Sequence, residues 1–204
     1  MKDRKEDRRV IRTKQVILEA LVTLIEEKGI DAVTVKDITR KANINRGTFY
    51  LHYQDKTDLL EKTVGDIMEE CQALLLQSNS LVIKEYVNSN NPPLFMVSLF
   101  EYFDQNASLI RAFLSMKGDL SFQEQFKNII WSNLFEKELS VHIKKDNLLV
   151  PGDYLVIYLI SAHLGVIQHW LEKEQRETPR EMASILYHLS FRGPLYAAGV
   201  NTLS

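Results

Sequence analysis

The stretch Asn43–Leu60 reads NINRGTFYLHYQDKTDLL. It spans about five helical turns and gathers a glycine, an arginine and four aromatic rings, a poor composition for a plain surface helix. Its residues separate by position. Asn43 falls where a tight turn calls for positive φ, which asparagine tolerates best among residues other than glycine. Ile44 can plug the corner, and Asn45 can cap a helix to about His52, because its side-chain oxygen accepts an orphan N–H. Phe49 and Leu59 then anchor, which leaves Arg46, Gly47, Thr48, Tyr50, His52 and Lys56 for other work.

Upstream, Thr34-Val-Lys-Asp37 forms a capping box that opens a short helix through about Lys41, with Val35, Ile38 and Ala42 facing a core. Before it, Ile17, Leu21, Leu24 and Lys28 share one helical face, with Val10, Ile11, Leu18 and Ile25 beside it, and Gly29 stops that helix. Two short helices joined at Asn43-Ile44 make a helix–turn–helix, and Asp55-Lys-Thr-Asp58 starts a long fourth helix that buries Leu59, Leu60, Val64, Ile67 and Met68. Residues 1–54 form one unit and 55–204 a larger helical body. Ser78–Pro93, broken by Asn, Ser and Pro-Pro, is the linker region.

Beyond it the spacing predicts helices over Leu94–Asp104, after Asn106, and from Ser121-Phe-Gln-Glu124. Two more run from about Asp153 to Lys173 and from Thr178 to about Phe191, the last opened by a capping box with Pro179 at its first position and stopped by Gly193-Pro194. Strand periodicity persists nowhere, so the fold class is all-α.

The chain has 204 residues, 45% hydrophobic and 25% charged, the balance of a globular protein. The mixed-charge start MKDRKEDRRV is not a secretory or transit signal. The longest unbroken apolar run, Tyr154–Ile160, is too short to span a bilayer. A lone cysteine, Cys71, excludes an intrachain disulfide and suits the cytosol. A cytoplasmic protein without a membrane partner is expected. Net charge is −2, but residues 1–60 hold 13 basic and 10 acidic side chains, +3, against 12 and 17 in the remainder, −5. A positive N-terminal part precedes a negative body.

Enzyme signatures are missing: no P-loop, GxGxxG, HExxH or CxxC. No pair of histidines at i,i+4 spacing could hold a metal from one helix face, so neither metal nor cofactor is expected. His163 and His169 read as partly buried, satisfied histidines, and Cys71 as a small helical hydrophobe. The aromatics between Phe95 and Trp170, Phe100, Phe103, Phe113 and Phe126 among them, belong either to a core or to the wall of an apolar ligand cavity, and no ligand-binding residue can be assigned.

The helix–turn–helix carries DNA-binding chemistry. The N-terminal part of such a second helix meets base edges in the major groove. Arg46 offers a planar fork to guanine O6 and N7. Gly47 removes a side chain where backbone nears the groove wall, and Thr48 suits a thymine methyl or a phosphate. Tyr50, His52 and Lys56 suit phosphate oxygens, as does Thr34 at the start of the preceding helix. The basic residues Lys2, Arg4, Lys5, Arg8, Arg9 and Arg12 form an arm that could enter a minor groove or stay solvated.

Thr34-Val35, Ile38, Ala42, Arg46-Gly47-Thr48-Phe49-Tyr50, His52-Tyr53, Lys56 and Leu59-Leu60 resemble the signature of the TetR/AcrR family of bacterial transcriptional regulators, over roughly Arg9–Leu60. Asn43 stands where that family usually has glycine and Asn45 where it usually has serine; both keep the turn and capping roles. The resemblance implies three DNA-reading helices, a connecting helix, a variable helical ligand and dimer domain, and a homodimer. It implies DNA contacts from Thr34, Asn45, Arg46, Gly47, Thr48, Tyr50, His52 and Lys56.

The residues support the dimer independently. Ile157, Ile160, Leu164, Ile167 and Leu171 repeat at helical spacing, with Met182, Ile185 and Leu189 as a matching stripe and Ser161, Ala162 and Gly165 alongside. The expected activity is repression from a pseudo-palindromic double-stranded operator, controlled by a small-molecule effector or protein partner. The alternative is a helical adaptor or co-activator that works through a protein partner with little DNA affinity of its own.

Overall fold

A computed structural model describes residues 2–76, 91–115, 120–135 and 145–200. Helices account for the regular structure of the described residues, and no strand occurs among them. The chain divides into two compact units, residues 1–66 with 108–122, and residues 67–107 with 123–204. The first unit thus takes in chain beyond residue 54, including a segment that returns from later in the sequence.

Within the first unit, α1 spans Lys2–Lys28 and ends at Gly29, whose φ of 77° is the left-handed conformation glycine adopts without steric cost. The basic arm is therefore not a separate element: its backbone is the start of α1. Its sequence allows this, since it lacks Gly and Pro and spaces opposite charges three or four residues apart, as in Lys2/Glu6 and Glu6/Arg9. Helix α2 (Val35–Lys41) opens with the expected capping box, Thr34 and Asp37 exchanging hydrogen bonds. It closes as a Schellman motif: the Ile44 N–H reaches the Thr39 carbonyl at 3.0 Å and the Asn43 N–H the Arg40 carbonyl at 3.3 Å. Asn43 has φ 51°, the one non-glycine residue with positive φ among those described.

Helix α3 (Arg46–Tyr50) is capped by Asn45, whose Oδ1 accepts from the Gly47 N–H at 3.0 Å. It ends two residues before His52, slightly earlier than its spacing predicts. Helix α4 (Lys56–Leu76) starts where Asp55 Oδ1 accepts from the Asp58 N–H at 2.9 Å. The core collects Ile17, Leu21 and Ile25 from α1, Ile38 from α2, Phe49 from α3 and Leu59 from α4, all fully buried. Helix α6 (Ala107–Leu114) adds Ile110, Phe113 and Leu114 to the buried set, and Arg111 pairs with Glu26 of α1 at 3.0 Å. Burying Phe49 removes a full aromatic ring from water, worth about 3 kcal/mol or more against alanine.

The second unit is built from α5 (Leu94–Gln105), α7 (Leu120–Phe135), α8 (Gly152–Glu172) and α9 (Pro179–Tyr187). Helix α7 is already running at Leu120, so Ser121 lies within its first turn instead of capping it. The predicted linker over Ser78–Pro93 falls almost entirely outside the described residues. Phe100 of α5 meets Trp170 of α8 edge-on at 5.3 Å, and the Trp170 indole N–H donates to the Glu177 carbonyl at 2.9 Å. Arg176 covers the same ring and pairs with Asp104 at 3.0 Å.

The capping box at Thr178 and Glu181 is present. Helix α9 then widens into a π turn over His188–Arg192, where the Gly193 N–H bonds the His188 carbonyl at 3.1 Å. Gly193, at φ 87°, stops that turn, and a further short helix, α10 (Pro194–Ala197), follows, beyond the predicted end.

Candidate nucleic-acid interface

Three short-range devices hold α3 in place: the Schellman corner before it, the Asn45 cap at its start and the buried Phe49 beneath it. Arg46 and Gly47 are consequently exposed at its N-terminal end, Thr48 is half-buried and Tyr50 is 54% exposed. Arg46 has no ion pair among the described residues, so its fork of donors is available. A Cβ built on Gly47 would meet only Asn45 Oδ1, at an ordinary 3.7 Å. Nothing among the described residues therefore requires glycine there.

The remaining predicted contacts are less free. The Thr34 hydroxyl donates to Asp37 Oδ2 at 2.7 Å and accepts from the Asp37 N–H at 3.2 Å. Its single proton is committed, so a phosphate, which only accepts, could be reached only by breaking that bond. Asp37 also meets Lys28 at 2.7 Å and Arg40 at 3.2 Å. The Lys28 and Thr34 bonds hold its carboxyl far below the ordinary range. Lys56 is half-buried and donates to the Ile30 carbonyl at 3.0 Å, leaving two of its three N–H groups. His52 is half-buried, and its carbonyl accepts from Lys62 at 3.3 Å. Lys62 also pairs with Asp58 at 2.9 Å, which lowers the Asp58 pKa.

Sequence reading did not single out two exposed residues of the helix–turn–helix. Leu51, 81% exposed, follows α3 on the side opposite Phe49, a position that the register of Phe49 and Tyr53 could have revealed. Lys36 is exposed in the first turn of α2.

The predicted dimer seam divides between two faces. Ile160, Ile167, Leu171 and Met182 are buried within the chain itself, each 6% exposed or less. Leu164 is half-buried against the Val156–Ile160 cluster. Ile157 is 49% exposed and Ile185 40%, while Leu189 is half-buried. The exposed stripe of α8 runs instead through Tyr154, Ile157, Tyr158, Ser161, Ala162, Gly165 and His169. Helix α8 is long and apolar enough to cross a membrane by length and composition alone, with mean hydropathy 1.4 over eighteen residues, although its longest unbroken apolar run is short. Only 28% of that window is buried.

Of the two histidines expected inside, His169 is exposed and His163 lines a cavity in the second unit. Phe100, Phe103 and Phe126 from the aromatic set line the same cavity, whereas Phe113 is buried and Tyr154 and Tyr158 are exposed. Cys71, also on its wall, has its thiol pushed up to about 12 by burial and is inert at neutral pH.

Comparison with known proteins adds what geometry cannot. Residues 17–63 match the family described as bacterial regulatory proteins, tetR family, and residues 90–192 match a transcriptional regulator C-terminal region. Among curated relatives, the uncharacterized HTH-type transcriptional regulator YxbF of Bacillus subtilis is 23% identical over 85% of this chain, which spans 43% of that protein. The biofilm operon icaADBC negative regulator IcaR of Staphylococcus epidermidis is 37% identical over 32% of this chain and 36% of its own length. The dhaKLM operon activator DhaS of Lactococcus lactis is 29% identical over 66% of this chain and 65% of its own. A putative TetR-family regulator from Syntrophomonas wolfei has the same fold, with TM-score 0.65, 18% identity and coverage of 95% and 98% of the two chains. Members of this family regulate transcription and are not enzymes. The two family matches, one over the helix–turn–helix and one over half the chain, together establish that this protein belongs to the TetR family of bacterial transcriptional regulators.

Proposed function

We propose that the protein binds a pseudo-palindromic double-stranded operator as a homodimer and represses transcription until an effector is bound. The observation that carries the DNA reading is the exposed Arg46-Gly47-Thr48 end of α3, where a glycine without internal purpose adjoins an arginine without an ion-pair partner among the described residues. Half-sites would lie about one helical turn apart, roughly 34–36 Å. The exposed apolar stripe of α8 supports the dimer, because a second copy would remove it from water. Among the described residues no other element comes within 4 Å of a Cβ added at Gly165 in that stripe, which suits close approach of a partner helix. An effector that binds one of two conformations better shifts the population away from the DNA-competent one.

Repression follows the similarity to IcaR, and the similarity to the activator DhaS favours a second reading in which the same dimer activates. A fluorescence-anisotropy titration with DNA flanking its own gene tests the core of the proposal. Specific binding with a steep salt dependence is expected, whereas weak binding blind to sequence would sink it in favour of a protein-binding adaptor. A reporter assay with and without the protein then fixes the sign.

A further inference from the structure

The cavity lined by His163 in the second unit has a volume of about 280 Å³. Met96, Phe100, Phe103, Phe126 and Ile167 give it an apolar wall, and among the described residues no charged side chain lines it. A dry cavity of about 150 Å³ holds benzene, so this one suits a molecule of about eleven heavy atoms. Its polarity comes from one pair, His163 of α8 and Ser190 of the π turn, with Nε2 and Oγ 3.1 Å apart.

The hydrogen bonding of that pair fixes its character. His163 Nδ1 bonds the Leu159 carbonyl, and a carbonyl can only accept, so Nδ1 carries the ring proton. Burial lowers the His163 pKa, so the ring is neutral near pH 7. Nε2 is then an acceptor, and Ser190 must donate its only proton to it. What remains for a ligand is lone pairs, with the weak S–H of Cys71 the sole other polar group of the described wall. A carboxylate would bring more lone pairs and a charge with no cation to meet it. A hydroxyl would supply the missing donor.

We propose that this cavity is the effector site and that it selects neutral, largely apolar molecules carrying one hydrogen-bond donor, such as medium-chain alcohols or alkylphenols, over acids of equal size. The selection rests on the ligand-controlled regulator reading above and extends it to the chemistry of the ligand. The π turn contributes by placing Ser190 and Phe191 together on the cavity wall, so occupancy acts on a helix end of unusual geometry.

The test uses the full-length protein at pH 7.5 and three probes of nearly equal size: nonan-1-ol, 1-methoxyoctane and nonanoate, titrated by calorimetry. Nonan-1-ol should bind at least tenfold more tightly than the ether, which lacks the donor, and than the acid. In the double variant His163→Phe, Ser190→Ala the alcohol-to-ether preference should fall to within about twofold. Equal or tighter binding of ether or nonanoate overturns the assignment, as does a preference that survives in the double variant or the failure of all three to bind. If the double variant does not fold, the three-probe comparison in the unaltered protein decides alone. Operator anisotropy in saturating nonan-1-ol separates the two proposals. Selective alcohol binding that leaves operator affinity unchanged supports the ligand selectivity and overturns the assignment of the cavity as the effector site, with the regulator reading intact. Failure of operator binding without any ligand overturns the regulator reading alone.

Discussion

The Lys56 ammonium donates to the Ile30 carbonyl at 3.0 Å and so ties the first turn of α4 to the loop between α1 and α2. A charged donor to a partly buried carbonyl contributes roughly 1.5 kcal/mol. Lys56→Ala should therefore lower the melting temperature by about 3–6 °C. It should also weaken binding to all DNA sequences alike, with the slope of log K against log salt falling by about 1.8 if the ammonium of each protomer also meets a phosphate. Thermal melts and a salt titration measure the two separately. A melting loss with an unchanged slope would mark Lys56 as purely structural.

Gly47→Ala should separate folding from function in the opposite direction. The added methyl has room, and alanine in a helix is favoured over glycine by about 1 kcal/mol. The variant should melt at the same temperature or higher, yet lose at least tenfold in operator affinity, because the methyl would lie between α3 and the groove wall. Retained affinity in an anisotropy titration would show that the backbone there keeps its distance from DNA.

Arg46→Ala tests base reading. The side chain is exposed and free of ion pairs among the described residues, so stability should change by less than about 0.5 kcal/mol. Discrimination at one base pair of each half-site should relax by about 1–3 kcal/mol, read by competition with singly substituted operators. Unchanged discrimination would assign the base contact to another residue, with Thr48 the nearest candidate.

The head of the molecule was legible because its determinants are local. Thr34, Asn45 and Asp55 cap helices through bonds spanning two or three residues, and Asn43 takes a backbone conformation few side chains accept. In the body the decisive information is non-local. Ile157 and Ile160 have the same side chain on neighbouring helical positions, yet only Ile160 packs inside the chain, and no spacing rule separates them. His163 and Ser190 lie 27 residues apart and meet where α9 has widened into a π turn, for which the sequence carries no local signal.

That division changes how the dimer should be probed. A charge at Leu164 would also disturb the cluster that Val156 and Ile160 form within the chain. Ile157→Glu and Gly165→Glu place the charge on the exposed stripe instead, at positions outside the buried core of the described residues. Light scattering should report monomers for both, with helicity by circular dichroism retained and operator affinity falling as the paired half-site contacts are lost. A dimer that persists in both variants would move the interface off α8.

Acid should destabilise the fold through His163. Burial depresses its pKa, only partly offset by the bond to the Leu159 carbonyl. In the unfolded chain the ring takes up a proton near pH 6.5. The unfolded state then binds more protons than the folded one below that pH, so stability falls with acidification. The loss begins near pH 6.5 and continues until the folded ring itself titrates, at no more than about 1.4 kcal/mol per pH unit. The depressed carboxyls of Asp37, Asp58, Glu177 and Glu181 act in the same direction, each having a lowered folded pKa, but only below the ordinary carboxylate range near pH 4. Chemical denaturation between pH 5 and 7 therefore isolates the histidine window. His163→Gln, which offers a neutral amide in place of the ring, should flatten the dependence there and leave the steeper fall below pH 5 intact. Parallel curves for the two proteins between pH 5 and 7 would show that His163 takes up its proton equally well in the folded state, with water or a carboxylate reaching the ring.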